Sequence, residues 1–373
     1  MKPAIVVVAY NRPRSLNRIL DSIRRAQYEE ENIPLVIIID HGDNREVVEA
    51  AESFSWEHGE KRIIRHTENL GLKRHVLSCG DLAWKYGSII MLEDDLYVAK
   101  GFYNYAKQAL TFTENDDKIG GVSLYNHRFN VHKRECFEAI DDGYDNWYFQ
   151  FASSWGQAFT ERQWEGFREW LSENDGRDVA GAAVPENVSG WGEKSWLKYC
   201  IAYLIETDRY FLYPRMSHTT NFFDEGTHSR RAQTDFQVPL GAGRKEYCFS
   251  GLRESQSVYD SFFENKRLAY AVGMKEKEVE IDLYGYRPLT KRYCLTMRSL
   301  PFDVKKSYGC MLRPLDQNII CNIPGDSFFL YDREKPAKAP KEKRGERILY
   351  FYRGFKVKYL FEIIKMRWKE RKG

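Results

Sequence analysis

Three adjacent carboxylates, Glu93-Asp94-Asp95, interrupt an apolar run that begins at Ser88 and resumes at Leu96. Carboxylates at that spacing repel one another and are poor core material. A short apolar run reads as a buried strand, so the acids fall at its end. In an open α/β sheet that is where ligands bind. The simplest compensation is a divalent cation, which takes hard oxygen ligands. Where such a cation also meets a diphosphate, the site can bind a nucleotide and stabilise it as a leaving group. The competing reading is an exposed acidic turn, and an isolated triplet favours it.

The elements that would position the triplet follow from the apolar pattern. Ala4 to Ala9 is a continuous, mostly β-branched run and reads as a buried strand. Pro34 to Ile39 is a second strand, Arg62 to Arg65 a weaker third, and Ser88 to Leu92 a fourth. Leu16, Ile19, Leu20 and Ile23 recur at helical spacing; a second helix is expected from Arg45 to Phe54, and a third through Val76, Leu77 and Leu82. Such alternation predicts a mostly parallel sheet with helices on both faces. Polar groups gather at the strand ends: Asn11 and Arg12, then Asp40, then the triplet. Further on, helices are expected over Phe102–Leu110, Phe159–Leu171 and Trp196–Thr207, and strands over Ile119–Leu124 and Arg209–Pro214. Asn187 to Trp196 is Gly-rich, flanked by aromatics, and bears one acid, Glu193. Met216–Asn221 and Asp224–His228 read as loops.

Composition bounds the rest. With 373 residues, 43% hydrophobic and 15% aromatic, the chain can bury a sizeable core. A net charge of +3 is too small to argue for nucleic-acid binding. The charge is uneven: 14 Lys/Arg against 4 Glu from Lys335 onward is a local +10, leaving −7 elsewhere. Seven scattered cysteines without a Cys-x-x-Cys pair suit a reducing, cytoplasmic compartment better than a disulfide framework or a zinc site. No apolar run reaches the roughly 18 residues of a membrane span, and Met1 leads into a strand without a signal-peptide hydrophobic region. There is no Gly-x-Gly-x-x-Gly after the first strand and no phosphate-loop motif, which weighs against a dinucleotide oxidoreductase and a P-loop nucleotidase.

The ordered pattern from Ala4 to His228 resembles glycosyltransferases of the GT-A fold, most closely the N-acetylglucosaminyltransferase I type and bacterial family 2-like enzymes. The strongest match is Leu92-Glu93-Asp94-Asp95-Leu96-Tyr97-Val98-Ala99-Lys100-Gly101-Phe102, which resembles the family's metal motif and the helix after it. Trp155-Gly156 resembles an acceptor-side segment, Trp191-Gly192-Glu193 the segment that supplies the base, and Tyr213–His218 the strand and loop after the catalytic helix. The resemblance implies an inverting, metal-dependent transferase. It would move a sugar from a UDP-sugar to a glycan or lipid-linked acceptor hydroxyl in bacterial surface polysaccharide synthesis. It implies Mn2+ or Mg2+ held by Asp95 with Glu93, and a nucleotide sugar held by Arg12, Asp40, Lys73 and Asp94. Glu193 would be the base, with Trp155, Trp191 and His218 as walls for acceptor or donor. Many members carry two adjacent acids at the base position; here Lys194 follows Glu193.

Each residue also has a plain structural reading. Asp40 could cap a helix, and Glu193 could be a helix N-terminal acid favoured by the dipole. Arg12 could be a solvated turn residue, and Lys73 with Arg74 a solvated helix face. His218 and His228 could be ordinary loop histidines, and the tryptophans core. Two other functions fit parts of the pattern: a GT-A nucleotidyltransferase, whose Gly-rich basic loop after the first strand is missing here, and a non-catalytic carbohydrate-binding protein on the same fold. The expected organisation is a catalytic domain over 1–233, with a nucleotide-sugar half (1–115) and an acceptor half (116–233). An aromatic, turn-rich extension follows over 234–335, then a basic linker and tail over 336–373. Within the tail, Ile348, Tyr352, Phe355, Tyr359, Ile363 and Met366 approximate a helical stripe beside Lys358, Lys365, Lys369 and Lys372. Such a helix, over 348–372, can lie on an anionic membrane surface, here the inner face, or pack back on the enzyme or a partner subunit.

Overall fold

A computed structural model describes the chain apart from residues 43–44, 182, 223, 225–235, 343, 353–355 and 373, and the side chains of 344, 367 and 369–372. The alternating pattern at the N-terminus produces parallel strands β1 (Ala4–Ala9), β2 (Leu35–Ile39), β3 (Lys61–Arg65) and β4 (Ser88–Glu93). Between them lie α1 (Pro13–Arg24), α2 (Arg45–Ser53), α3 (Gly71–Gly80) and the single turn α4 (Ala83–Tyr86). Gly87 closes α4 in the left-handed conformation and turns the chain into β4.

After the triplet come β5 (Leu96–Val98), α5 (Phe102–Thr113) and β6 (Ile119–Ser123), then the two-residue strands β7 (Phe129–Asn130) and β8 (Glu135–Cys136). Next are β9 (Asn146–Phe149), β10 (Gln157–Thr160), α6 (Glu161–Asn174), the short α7 (Glu186–Ser189), α8 (Trp196–Glu206), β11 (Tyr210–Pro214) and β12 (Thr219–Asn221). The C-terminal third adds β13 (Val258–Tyr259), α9 (Leu268–Ala271), β14 (Val279–Asp282), β15 (Tyr293–Thr296), β16 (Phe302–Tyr308), α10 (Leu315–Ile320) and β17 (Phe328–Pro336).

Nine strands form the central sheet, in the order β13-β9-β11-β6-β10-β4-β1-β2-β3. Successive residues of β1 face opposite ways. Ile5, Val7 and Ala9 pack with α1, α2 and α5, whereas Ala4, Val6 and Val8 pack with α3, α6 and α8. Both faces of the parallel half are therefore covered, which explains its unbroken apolar runs. This is the GT-A arrangement expected from the sequence.

The structure departs from the sequence expectation in several places. Phe159 lies in β10; α6 starts only at Glu161, because Thr160 and Gln163 form a reciprocal capping box. Part of the expected loop Met216–Asn221 is strand β12, which pairs antiparallel with β5. The expected boundary between 233 and 234 lies outside the described residues. The extension after it holds a four-stranded sheet, β14-β15-β17-β16, whose Val279, Ile281, Leu295 and Leu330 share a core with α3, α6 and α8.

The tail is not one continuous amphipathic helix. It forms α11 (Arg344–Tyr352), a 3-10 turn (Val357–Tyr359) and α12 (Leu360–Lys372), so the expected stripe is split; Phe355 lies outside the described residues. In α11, Phe351 is buried against Tyr284, and Arg347 donates to Glu135 at 3.1 Å and to the Tyr284 carbonyl at 3.2 Å. In α12, Phe361, Ile364 and Trp368 are exposed. No helix among the described residues is long and apolar enough to cross a membrane.

Candidate functional site

Strand register brings the polar residues together. Val8 lies opposite Glu93 and Ala9 opposite Ile39, so β4, β1 and β2 end at one edge of the sheet as neighbours. Arg12, Asp40 and the Asp94–Asp95 pair leave the sheet there. Strand β10 runs antiparallel to β4 and starts at the same edge, which adds Trp155 just before it.

Arg12 forks across the aspartate pair. Its Nη1 donates to Asp95 Oδ2 at 3.0 Å, and its Nη2 to Asp94 Oδ1. Both aspartates are buried. Burial opposes the charge on Arg12, but the two carboxylates outweigh it and hold the guanidinium charged. Burial pushes Asp94 up to about 6, against the pull of Arg12. Glu93, hydrogen-bonded to Ser154, is driven well above the usual carboxylate range by desolvation and then by Asp95. Desolvation thus favours the neutral form of Glu93.

Strand β12 completes the surroundings of Asp95. Because Asn221 sits opposite Leu96, its side-chain amide reaches Asp95 Oδ1 at 3.4 Å, and the Phe222 N–H donates to the Asp95 carbonyl at 3.0 Å. Arg18 of α1 lies 4.0 Å over the Phe222 ring and is ion-paired with Asp224, which also accepts from Ser15 Oγ at 2.7 Å. Burial would raise Asp224, but the hydrogen bonds from Arg18 and Ser15 hold it below the usual range. Arg18, Ser15, Asn221 and Asp224 were not singled out from the sequence. The available signal was the i, i+3, i+6 spacing of Arg12, Ser15 and Arg18, which puts them on one flank of α1.

Asp40 is buried and accepts three backbone N–H groups: His41 at 2.9 Å, Leu70 at 2.9 Å and Gly71 at 3.1 Å. It therefore caps α3, one helix later than its immediate successor in sequence. A carboxylate has about four acceptor sites, so one remains for a ligand donor. Lys73, in the first turn of α3, is ion-paired with Asp175 and lies 4.1 Å over the Tyr199 ring. That contact sets the first turn of α8 beside the first turn of α3.

The base segment precedes α8. Ser195 caps it by accepting from the Lys198 N–H at 3.3 Å, and Lys198 Nζ reaches back to the Trp191 carbonyl at 3.0 Å. Glu193 is exposed in the turn between, and Trp191 is half-buried. Trp155 is half-buried against Tyr125, at 4.8 Å between ring centroids. Gly156 after it has φ +95°, and a Cβ there would lie 2.6 Å from Thr219. His218 belongs to the packed interior and not to a ligand wall. Its ring stacks on Tyr105 at 4.4 Å, Nε2 faces the Tyr247 hydroxyl at 3.2 Å, and burial pushes it down to about 3. His228 lies outside the described residues.

Asp94 and Asp95 fit part of a metal shell. Their hard oxygens suit Mg2+ or Mn2+, and Mg2+ is usually held by one or two carboxylates together with substrate phosphates. Among the described residues, no group of three or more His, Cys, Asp or Glu is arranged to hold a metal by itself.

Residues 4–153 match the model of glycosyl transferase family 2. That match spans 150 of the 373 residues, and over them the chain is similar to family 2 glycosyltransferases. Solved structures with similar coordinates include S. aureus TarS (13% identity, TM-score 0.36, covering 59% of this chain and 36% of that one). TarS 1-349 in complex with UDP is similar at 12% identity and TM-score 0.36, covering 58% of this chain and 59% of that one. The Pyrobaculum calidifontis mannosyltransferase PcManGT, in complex with GDP-Man and Mn2+, is similar at 14% identity and TM-score 0.32, covering 51% of each chain. The chain thus spans less than two thirds of the length of each. No curated protein sequence matches it.

Asp94 carries a pH dependence. Its pKa rises from 3.8 unfolded to about 6 folded, so between those values the folded chain binds more protons than the unfolded one. The stability this supplies is fully present below 3.8 and is lost as pH rises through 6. Between pH 4 and 7, the stability from denaturant titrations should fall by on the order of 1–3 kcal/mol more in wild type than in Asp94→Asn. Parallel curves would contradict this assignment.

Proposed function

We propose that this protein is an inverting glycosyltransferase that uses a UDP-sugar and a divalent metal. One observation carries the reading: the ends of β1, β2 and β4 bring Arg12, Asp40 and the Asp94–Asp95 pair to one edge. Asp40 reads the uracil with its remaining acceptor capacity. Asp95, with Asp94 beside it, holds the metal. When bound, the metal supplies Lewis-acid stabilisation of the leaving diphosphate, an effect worth several kcal/mol. Glu193, ahead of α8, takes the proton from the acceptor hydroxyl as that oxygen attacks the anomeric carbon. The bond to the diphosphate breaks on the opposite side, and UDP leaves. Trp191 and Trp155 form apolar walls that hold the sugar and acceptor in line. Lys73 serves α8 through Tyr199 and Asp175, and meets the diphosphate only if it leaves Asp175.

Calorimetry with a nucleotide panel, with and without Mn2+, tests this. UDP binding should require the metal and vanish in Asp95→Ala. In Glu193→Gln, UDP binding should persist while transfer or donor hydrolysis falls by about 10²-fold or more, the usual contribution of a general base. Metal-independent UDP binding, or full turnover in Glu193→Gln, would overturn the respective assignment.

We also propose that the acceptor is lipid-linked, a precursor of a bacterial surface glycan, and that α12 rests on the anionic inner face of the membrane. Supporting this, Phe361 is 84% exposed and Trp368 59% exposed within a strongly basic stretch. Liposome flotation should carry the full chain with anionic vesicles and not with neutral ones. A chain truncated at Pro336 should stay behind. Equal flotation of both chains would contradict the proposal.

A further inference from the structure

The carboxylates best suited to a metal already hold a cation. Arg12 gives one nitrogen to Asp94 and one to Asp95. The other oxygen of Asp95 faces Asn221. A divalent cation sharing Asp95 Oδ2 would lie against the guanidinium, and like charges in a partly desolvated pocket repel strongly. Arg12 is the neighbour able to yield. Its side chain is 26% exposed and, in the contacts seen here, is held by these two aspartates. Arg18 is instead tied to Asp224 and to the Phe222 ring, and touches Asp95 only at its backbone carbonyl.

Resting on the metal-dependent reading above, we infer that Arg12 is an exchangeable counter-ion. It closes the Asp94–Asp95 pair when no nucleotide is present, surrenders the pair to the divalent cation, and takes the incoming diphosphate as its new anion. Metal and nucleotide then bind cooperatively, because each relieves the obstacle to the other. Metal alone has to displace Arg12 with nothing to receive it.

The test is Mn2+ binding by the full chain, read from the paramagnetic resonance signal of free Mn2+, with and without saturating UDP. Wild type should bind Mn2+ weakly alone and about tenfold tighter with UDP. Arg12→Met should bind Mn2+ alone about tenfold tighter than wild type and lose most of the coupling to UDP. Arg12→Lys keeps the charge but cannot fork, so its coupling should fall between. Arg18→Met removes a nearby charge and leaves the fork, so its coupling should match wild type. Mn2+ should also raise the melting temperature of Arg12→Met more than that of wild type. Unchanged or weaker Mn2+ binding in Arg12→Met would overturn the inference, as would equal tightening in Arg18→Met. If Arg12→Met does not fold, wild-type coupling in Arg12→Lys overturns it. Absence of Mn2+ binding in every protein, with or without UDP, would instead remove the metal-dependent reading beneath it.

Discussion

Two carboxylates side by side at the edge of a buried sheet do not stay ionised without a cation beside them. Asp94 and Asp95 are in that position, and much of the surrounding structure answers the need. Arg12 spans both, Asn221 approaches the second, and β12 folds against β5 to bring it there. Removing one partner of a buried pair costs about 3–5 kcal/mol, because the charge left behind is uncompensated. The same imbalance that makes the pair costly in isolation makes it a receptor for positive charge.

Asp40 performs a parallel task at the next strand. By accepting the first N–H groups of α3 it orients that helix, and Lys73 in the helix then meets Tyr199 in α8. One carboxylate thereby links the sheet edge to the turn that bears Glu193. A structural cap and a ligand contact are compatible here, since three backbone donors do not exhaust a carboxylate.

Much of the parallel half was legible in the sequence, because continuous β-branched runs and helical periodicity agree with one another from Ala4 to Leu92. The strand ends were legible for the same reason: where the apolar run stops, the polar residue is at the edge. Long-range pairing was not. Nothing local in Thr219–Asn221 announces a strand, because its partner β5 lies about 120 residues earlier and its burial comes from tertiary packing. His218 reads as a polar loop residue until Tyr105 and Tyr247 enclose it. The tail misled in the opposite way: a stripe at helical spacing is a property of the residues, but the chain breaks it into two helices and docks the first through Arg347 and Phe351. The family resemblance groups Glu93 with Asp95, whereas in three dimensions Ser154 takes Glu93 and Arg12 takes the other two.

On the reading proposed above, these edge residues form one site for a metal and a nucleotide diphosphate. Anomalous diffraction from crystals grown with Mn2+ and UDP tests it most directly. A single strong Mn2+ peak is expected, bonded to an Asp95 carboxylate oxygen, with uracil against Asp40 and the diphosphate between the metal and Arg12. UDP bound elsewhere, or at this edge with no metal at Asp95, would contradict it.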